Sequence, residues 1–546
     1  MRRNFLILLL STALFGAQDK APDKIAKDLQ NLNPGAAIDV IIQWRQPPGK
    51  SQHDKVSKEG GAFKNSFTVI KAGVYAVPAA ALKNLAADPE VTYISRDRKH
   101  TAFLNYAAAA INAPAAWQAG WDGTGIGVAV IDSGSNAVDL GTRMVYTEAF
   151  GGLADGSDQF GHGTHVAGII GNSGEASSGI YKGIAPNVNI VNLRVLDGNG
   201  AGQDSTVIAA IQRAVQLKAT YNIRVINLSL GRPVFESYTL DPLCQAVESA
   251  WNAGIVVVVA AGNRGRDNSQ STSGYGTIQA PGNDPYVITV GAMKTMGTPG
   301  RADDLVASYS SKGPTLFDHI VKPDLVAPGN LLISSMQKNT SLYGQFPGNE
   351  VYRSAYTATT STNLSNIFYK LSGTSMAAPA VSGAAALLLQ KYPALTPDQV
   401  KARLMKTASK TFPLQSSATD PLTGITYTSQ YDVFTIGAGY VYVAAALAST
   451  DLAAASAMSP AVTFDAISGN TYFVLGTNAV WGTNAVWGTN AVWGTNAVWG
   501  TNAVWGTNAV WGTSTLTGFN AVWGTNAVWG TTSASSALTV AIAGEN

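Results

Sequence analysis

The chain has 546 residues, too many for a single hydrophobic core, and three or four segments are expected. Hydrophobic residues make up 46% and charged residues 13%, which suits a packed, soluble protein. A formal net charge of +2 gives no pull toward nucleic acid or an anionic membrane, and a single cysteine excludes an internal disulfide. That residue, Cys244, precedes Ala246-Val247 in an apolar setting, so a buried thiol is expected rather than a catalytic one.

A basic start, Met1-Arg2-Arg3-Asn4, leads into the apolar run Phe5 to Leu10 and small residues near Gly16-Ala17. This reads as a secretory signal peptide over residues 1–17. The run is too short to span a membrane, and no later segment reaches spanning length, so an exported product free of the bilayer core is expected. Residues 36–97 form a small separate unit. Asp39–Trp44, Phe67–Ile70, Val74–Val77 and Val91–Ile94 read as strands. Ser51–Lys64 and Pro78–Leu85 have helical composition. The order β-α-β-β-α-β points to a ferredoxin-like α+β sandwich. Arg96–Tyr106 reads as a linker.

From Gly123 the pattern changes to continuous apolar strands: 127–131, 188–196, 225–230, 255–261 and 286–290. Helical stretches such as Ser205–Leu217 and Pro242–Ala253 alternate with them. Apolar strands alternating with helices imply an α/β fold with a doubly wound, mostly parallel sheet covered on both faces. Sites in such sheets lie at the carboxyl ends of the strands, where Asp132 and Asn263 fall. Further on, Gly373-Thr374-Ser375 turns into a long small-residue helix, placing Ser375 at its N-terminus. A serine there is a cap or a nucleophile.

His162 and His165 open another helix and stand three apart, which also fits metal ligation on one face. No third-ligand pattern accompanies them. Serine needs a base to become nucleophilic, the base needs a buried carboxylate to fix its tautomer, and the oxyanion needs a donor. Ser375, His162, Asp132 and Asn263 have the residue types for these four roles.

Val128-Ala129-Val130-Ile131-Asp132-Ser133-Gly134, His162-Gly163-Thr164-His165-Val166-Ala167-Gly168 and Gly373-Thr374-Ser375-Met376-Ala377-Ala378-Pro379 together resemble the subtilisin family of serine proteases, in the family's Asp, His, Ser order. The resemblance runs from about Asn112 to Ala446. It implies a serine endopeptidase acting through an acyl-enzyme, with Asp132 orienting His162, His162 as base, Ser375 as nucleophile and Asn263 as oxyanion donor. His165 corresponds to the family's structural histidine. Ser229, Leu230 and Gly231 resemble the substrate-pairing strand, and Ala280-Pro281 resembles the cis-proline at the specificity pocket. That pocket would be walled by Ser229–Gly231 and Ala261, Gly262 and Asn263, with Gln279 at its base and Arg264 at its rim. Arg264 would disfavour basic substrate side chains. The chemistry needs no cofactor. Structural calcium stays open without assigned ligands, because Asn172–Lys182 does not map onto the family's calcium loop.

The same resemblance divides the chain into a signal peptide (1–17), an inhibitory propeptide (18–105), a catalytic domain (106–450) and a tail (451–546). Self-cleavage is expected between His100 and Tyr106. In the tail, Asn-Ala-Val-Trp-Gly-Thr repeats without a break from Asn478 to Thr513 and returns from Asn520 to Thr531. No charged residue occurs from Ala466 to Gly544. An even period puts every Trp on one face of an extended chain, a composition open to self-association, to a β-repeat or to disorder. Removing residues 451–546 is expected to leave cleavage of small peptides unchanged. A secreted or cell-surface endopeptidase acting on protein substrates is thus set against a surface-assembly protein built on the repeats.

Overall fold

Ile38, Val40, Ile42 and Trp44 alternate with more exposed residues along Ala37–Trp44 (β1), so one face of this strand makes a core. The computed structural model describes residues 24–26, 29, 32–67, 70–97, 106–357, 363–420, 423–465, 470–474 and 545. The expected signal peptide, most of the expected self-cleavage region and the hexapeptide repeats lie outside them. The chain divides into two units, residues 1–101 and 102–546.

In the first unit β1 is followed by α1 (Lys50–Lys58), β2 (Ala62–Phe67), β3 (Ala72–Pro78), α2 (Leu82–Ala87) and β4 (Val91–Arg96). The strands pair antiparallel in the order β2–β3–β1–β4. Two boundaries differ from the sequence reading. The helix expected over 51–64 stops at Lys58, before Gly60-Gly61, and β2 starts at Ala62 rather than Phe67. Residues 62–66 are exposed on an edge strand, so an apolar criterion passes over them.

The second unit opens with α3 (Tyr106–Ala110) and α4 (Ala113–Gln118) and then builds its main sheet. Its strands are β5 (Gly127–Asp132), β6 (Met144–Ala149), β7 (Asn189–Arg194), β8 (Ile223–Leu228), β9 (Val256–Ala260), β10 (Ile288–Lys294), β11 (Leu305–Val306) and β12 (Leu325–Pro328). They run in the order β6–β7–β5–β8–β9–β10–β11, with β12 also paired to β10. Every pairing is parallel except β10–β11. Strand order reverses at β5, and the crevice at such a reversal is where α/β sheets hold their sites.

Helices α5 (His162–Gly171), α6 (Asp204–Tyr221) and α7 (Pro242–Asn252) connect successive strands of this sheet. A three-stranded antiparallel sheet follows, from β13 (Leu332–Ser335), β14 (Glu350–Tyr352) and β15 (Leu364–Leu371), with α8 (Ser341–Gln345) between β13 and β14. Then come α9 (Thr374–Lys391) and α10 (Pro397–Thr407). All of β5 and β9 is buried, and so is α9 from Met376 to Leu389. Each buried valine of β9 contributes about 1.5 kcal/mol or more, so the floor under the crevice is rigid. Among the described residues no helix is long and apolar enough to cross a membrane.

The expected boundary at residue 450 falls inside the packed unit. Lys401 is wholly buried, and its ammonium donates to the carbonyls of Pro285, Tyr286 and Val287 and to Ser459 Oγ. Burial pulls Lys401 down to about 7, against the charge of Asp324 3.2 Å away. Ser459 Oγ also donates to Asp324, Arg403 holds the Asp451 carbonyl, and Ala457 and Val462 are buried. Residues 451–465 therefore complete a buried polar network rather than begin a separate tail. In a Ser375→Ala background, ending the chain at residue 450 is expected to lower the thermal unfolding midpoint by several °C relative to ending it at 474. Equal midpoints would show that 451–465 adds nothing to the folded unit.

Candidate active site

Asp132 ends β5 as a carboxylate with no side-chain exposure. Its Oδ1 accepts from the Ser133 N–H and lies 2.7 Å from His162 Nδ1. An acceptor-only carboxylate fixes the proton on Nδ1, which leaves Nε2 with the lone pair. Oδ2 is buried without a hydrogen-bond partner among the described residues. Burial works against the His162 imidazolium, but the charge and hydrogen bond of Asp132, with the charge of Asp158, outweigh it and raise the histidine above its ordinary value.

The sequence reading missed Asp158. It is buried and accepts five hydrogen bonds: from Ser133 Oγ, from the Phe160, Gly161 and Thr164 N–H groups, and from Thr164 Oγ1. Ser133 Oγ in turn accepts from the Gly163 N–H. One carboxylate thereby joins the end of β5 to the first turn of α5 and sets the angle between Asp132 and His162. An acidic residue just ahead of a helix start is the signal that marks it.

Ser375 sits in the first turn of α9, which packs against α5, β8 and β9. Its Oγ donates to the Ser229 carbonyl at 3.1 Å, and Ser229 Oγ donates to the Ser375 carbonyl at 2.7 Å. Among the described residues Ser375 makes no hydrogen bond to His162, so a side-chain rotation separates this geometry from proton transfer. Asn263 Oδ1 accepts from Thr374 N at 2.9 Å and from Thr374 Oγ1 at 3.1 Å. That fixes the amide with Nδ2 turned away from Thr374 and ready to donate. Gly373 has φ +143°, and a Cβ there would meet Asn263 Nδ2 at 3.2 Å, so a side chain would crowd the amide.

His165 is separated from this chemistry. Its Nε2 lies 3.1 Å from the carbonyls of Leu332 and Tyr369, on β13 and β15. Burial, with the nearby charge of His162, holds it down to about 3, so it is neutral and joins strands. Cys244 is buried beside Asn283, and burial pushes its thiol far up, away from reactivity.

The remaining predicted residues gather around Gln279. A Cβ on Gly262, at φ +107°, would meet the Gln279 side chain at 2.8 Å, and one on Gly231 would meet it at 3.3 Å. Gln279 N donates to the Ala261 carbonyl, and the Ala280–Pro281 peptide is cis. Leu230 is half-buried beside them. Arg264 differs from expectation: its Nη2 lies 2.6 Å from Asp267 Oδ2, so its charge is already compensated.

Residues 123–434 match the model of the subtilase family. The chain belongs to the subtilase family. It is 35% identical to the serine protease AprX of Bacillus subtilis (strain 168) over 373 residues, 66% of this chain and 78% of that protein. It is 35% identical to subtilisin E of the same strain over 365 residues, 65% and 80% of the two chains. An extracellular serine proteinase of Thermus sp. (strain Rt41A) is 35% identical over 372 residues, 64% and 73%. This subtilase is accordingly a serine-type endopeptidase.

Its 172–182 segment does not fit a calcium ion. Asp139 faces that segment, and its carboxylate already accepts from Ser173 Oγ and from the Gly174 and Ala176 N–H groups, donors that a cation would have to displace. Among the described residues no three His, Cys, Asp or Glu side chains group to hold a metal.

A raised His162 moves the acid limb of the pH–rate profile upward. With the neutral ring as the expected base, activity is expected to grow as pH climbs through a midpoint above the ordinary ~6.5. Asp132→Asn is expected to lower turnover about 10⁴-fold and to move the residual midpoint down, since only the charge of Asp158 then opposes burial. A midpoint unchanged by that substitution, read from kcat/KM on a peptide, would break the link.

Proposed function

We propose that this chain is a secreted endopeptidase of protein substrates that works through an Asp132-His162-Ser375 triad and processes its own precursor. The observation that carries the reading is the 2.7 Å contact of His162 Nδ1 with Asp132 Oδ1, in a chain whose Ser375 heads a buried helix. His162 Nε2 takes the Ser375 proton as the hydroxyl leaves the Ser229 carbonyl and attacks the scissile carbonyl. Asn263 Nδ2 and the Ser375 N–H stabilise the oxyanion, and the positive end of α9 adds to them. His162 then protonates the leaving amine, and water resolves the acyl-enzyme by the reverse sequence. No cofactor enters any step.

The basic and apolar N-terminal run supports export. The β-α-β-β-α-β unit before residue 98, ferredoxin-like in its strand order, supports a propeptide that folds by itself and inhibits the enzyme after cleavage between His100 and Tyr106. Self-association of the uncharged, Trp-rich repeats at 478–531 belongs to the same proposal.

In subtilisins, loss of the nucleophile costs on the order of 10⁶-fold in turnover. Ser375→Ala is expected to abolish hydrolysis of a soluble protein and to accumulate the precursor with residues 18–105 attached. A pure Ser375→Ala preparation that still matures would refute self-processing, and a wild-type chain that hydrolyses no protein would refute the activity.

Specificity follows from the rim. The Arg264–Asp267 pair presents little net charge, so selection at the Gln279 pocket rests on size and burial, worth about 2 kcal/mol for a long apolar side chain. Asp267→Asn uncovers the Arg264 charge and is expected to lower kcat/KM selectively for substrates with Lys or Arg before the cut bond, an effect that weakens with salt. An unchanged peptide-library profile would remove Arg264 from the pocket.

A further inference from the structure

Glu545 is the only charged residue in the sequence beyond Asp465. Its side chain is nevertheless buried, among residues distant in sequence. One carboxylate oxygen lies 2.7 Å from Arg266 Nη2 and also accepts from Ser308 Oγ. The other lies 3.2 Å from Lys294 Nζ and accepts from the Ser308 N–H at 3.2 Å. The backbone is gripped as well: Glu545 N donates to Asn330 Oδ1 at 2.9 Å, and Asn330 Nδ2 donates to the Glu545 carbonyl at 2.7 Å. A side-chain amide used both ways on one residue reads a peptide, not merely an anion.

The receiving groups are set in advance. Lys294 ends β10, and its side chain is 4% exposed. Arg266 is fixed by a 2.9 Å contact with Asp420 and lies over the ring of Tyr427. A buried cation such as Lys294 is costly unless an anion meets it, and Glu545 is the anion recorded beside it.

We propose that Arg266, Lys294, Ser308 and Asn330 form a docking socket for an acidic residue of this chain's own far end, Glu545, which anchors that residue to the catalytic unit. The socket also touches the nucleophile turn. Gly329 and Leu331, on either side of Asn330, hold the Gly373 N–H and the Ser372 Oγ, just ahead of Ser375. Docking therefore braces that turn from behind.

The test uses the full-length Ser375→Ala chain, so that self-digestion does not intrude and the result is independent of activity. Glu545→Gln and Lys294→Met are each expected to lower the unfolding midpoint, and the double variant to lose clearly less than the sum of the two. Additive losses, or no loss from Glu545→Gln, would overturn the socket. Ser308→Cys with Glu545→Cys, treated with a short bismaleimide, is expected to give a fast-migrating monomer on a denaturing gel. Failure to cross-link while Glu545→Cys alone reacts with a monofunctional maleimide would overturn docking. A cross-linked dimer would assign the socket to a second copy and overturn docking within one chain. The cross-link decides the matter even if Lys294→Met does not fold.

Discussion

The catalytic half of the molecule depends on a charge placed where charge is expensive. Asp132 terminates a strand with every residue buried, and its side chain has no contact with water. Such a carboxylate needs donors, and the Ser133 N–H and the His162 ring supply them. The ring is therefore held in one tautomer by the electrostatics of the floor beneath it. Asp158 makes that arrangement stiff, because its five donors come from both the strand end and the helix that must keep their mutual angle. The Ser375 hydroxyl is held less firmly, by one hydrogen bond to the Ser229 carbonyl.

The same logic recurs away from the crevice. Only 13% of the chain is charged, yet several charges lie in the interior as satisfied clusters: Lys322 and Lys401 around Asp324, and Arg266 and Lys294 around Glu545. Each cluster ties together segments distant in sequence. Charge here specifies which distant segments meet, while apolar burial supplies most of the stability.

This division explains what could be read from the sequence. Strands β5, β7, β8, β9 and β10 are almost wholly buried and read as largely apolar runs, which made the parallel sheet and its carboxyl-end residues legible. The edge strand β6 was not read and β2 was placed too late, because their solvent-facing surfaces carry no strict apolar pattern. Asp158 escaped because its importance comes from donors on a turn, although its place before a helix start was a usable signal. The packing of 451–465 and of Glu545 was invisible for a stronger reason. Glu545 meets Asn330 and Arg266 across 215 and 279 residues, a relation with no local trace. Arg264 was misjudged for want of its neighbour: only the folded turn brings Asp267 against it.

His162 and His165 stand three residues apart on one helix and are displaced in opposite directions, the first upward and the second down to about 3. Acid therefore reaches the protein twice. Protonation of His162 is favoured by the fold, through Asp132 and Asp158. His165 is different, since the unfolded chain binds its proton near ~6.5 while the folded one refuses it. Between those values each unit of falling pH tilts the balance toward unfolding by about 1.4 kcal/mol. The strand latch between Leu332 and Tyr369 is then an acid-sensitive hinge pin. Falling pH is therefore expected to load this latch while leaving the His162 imidazolium favoured.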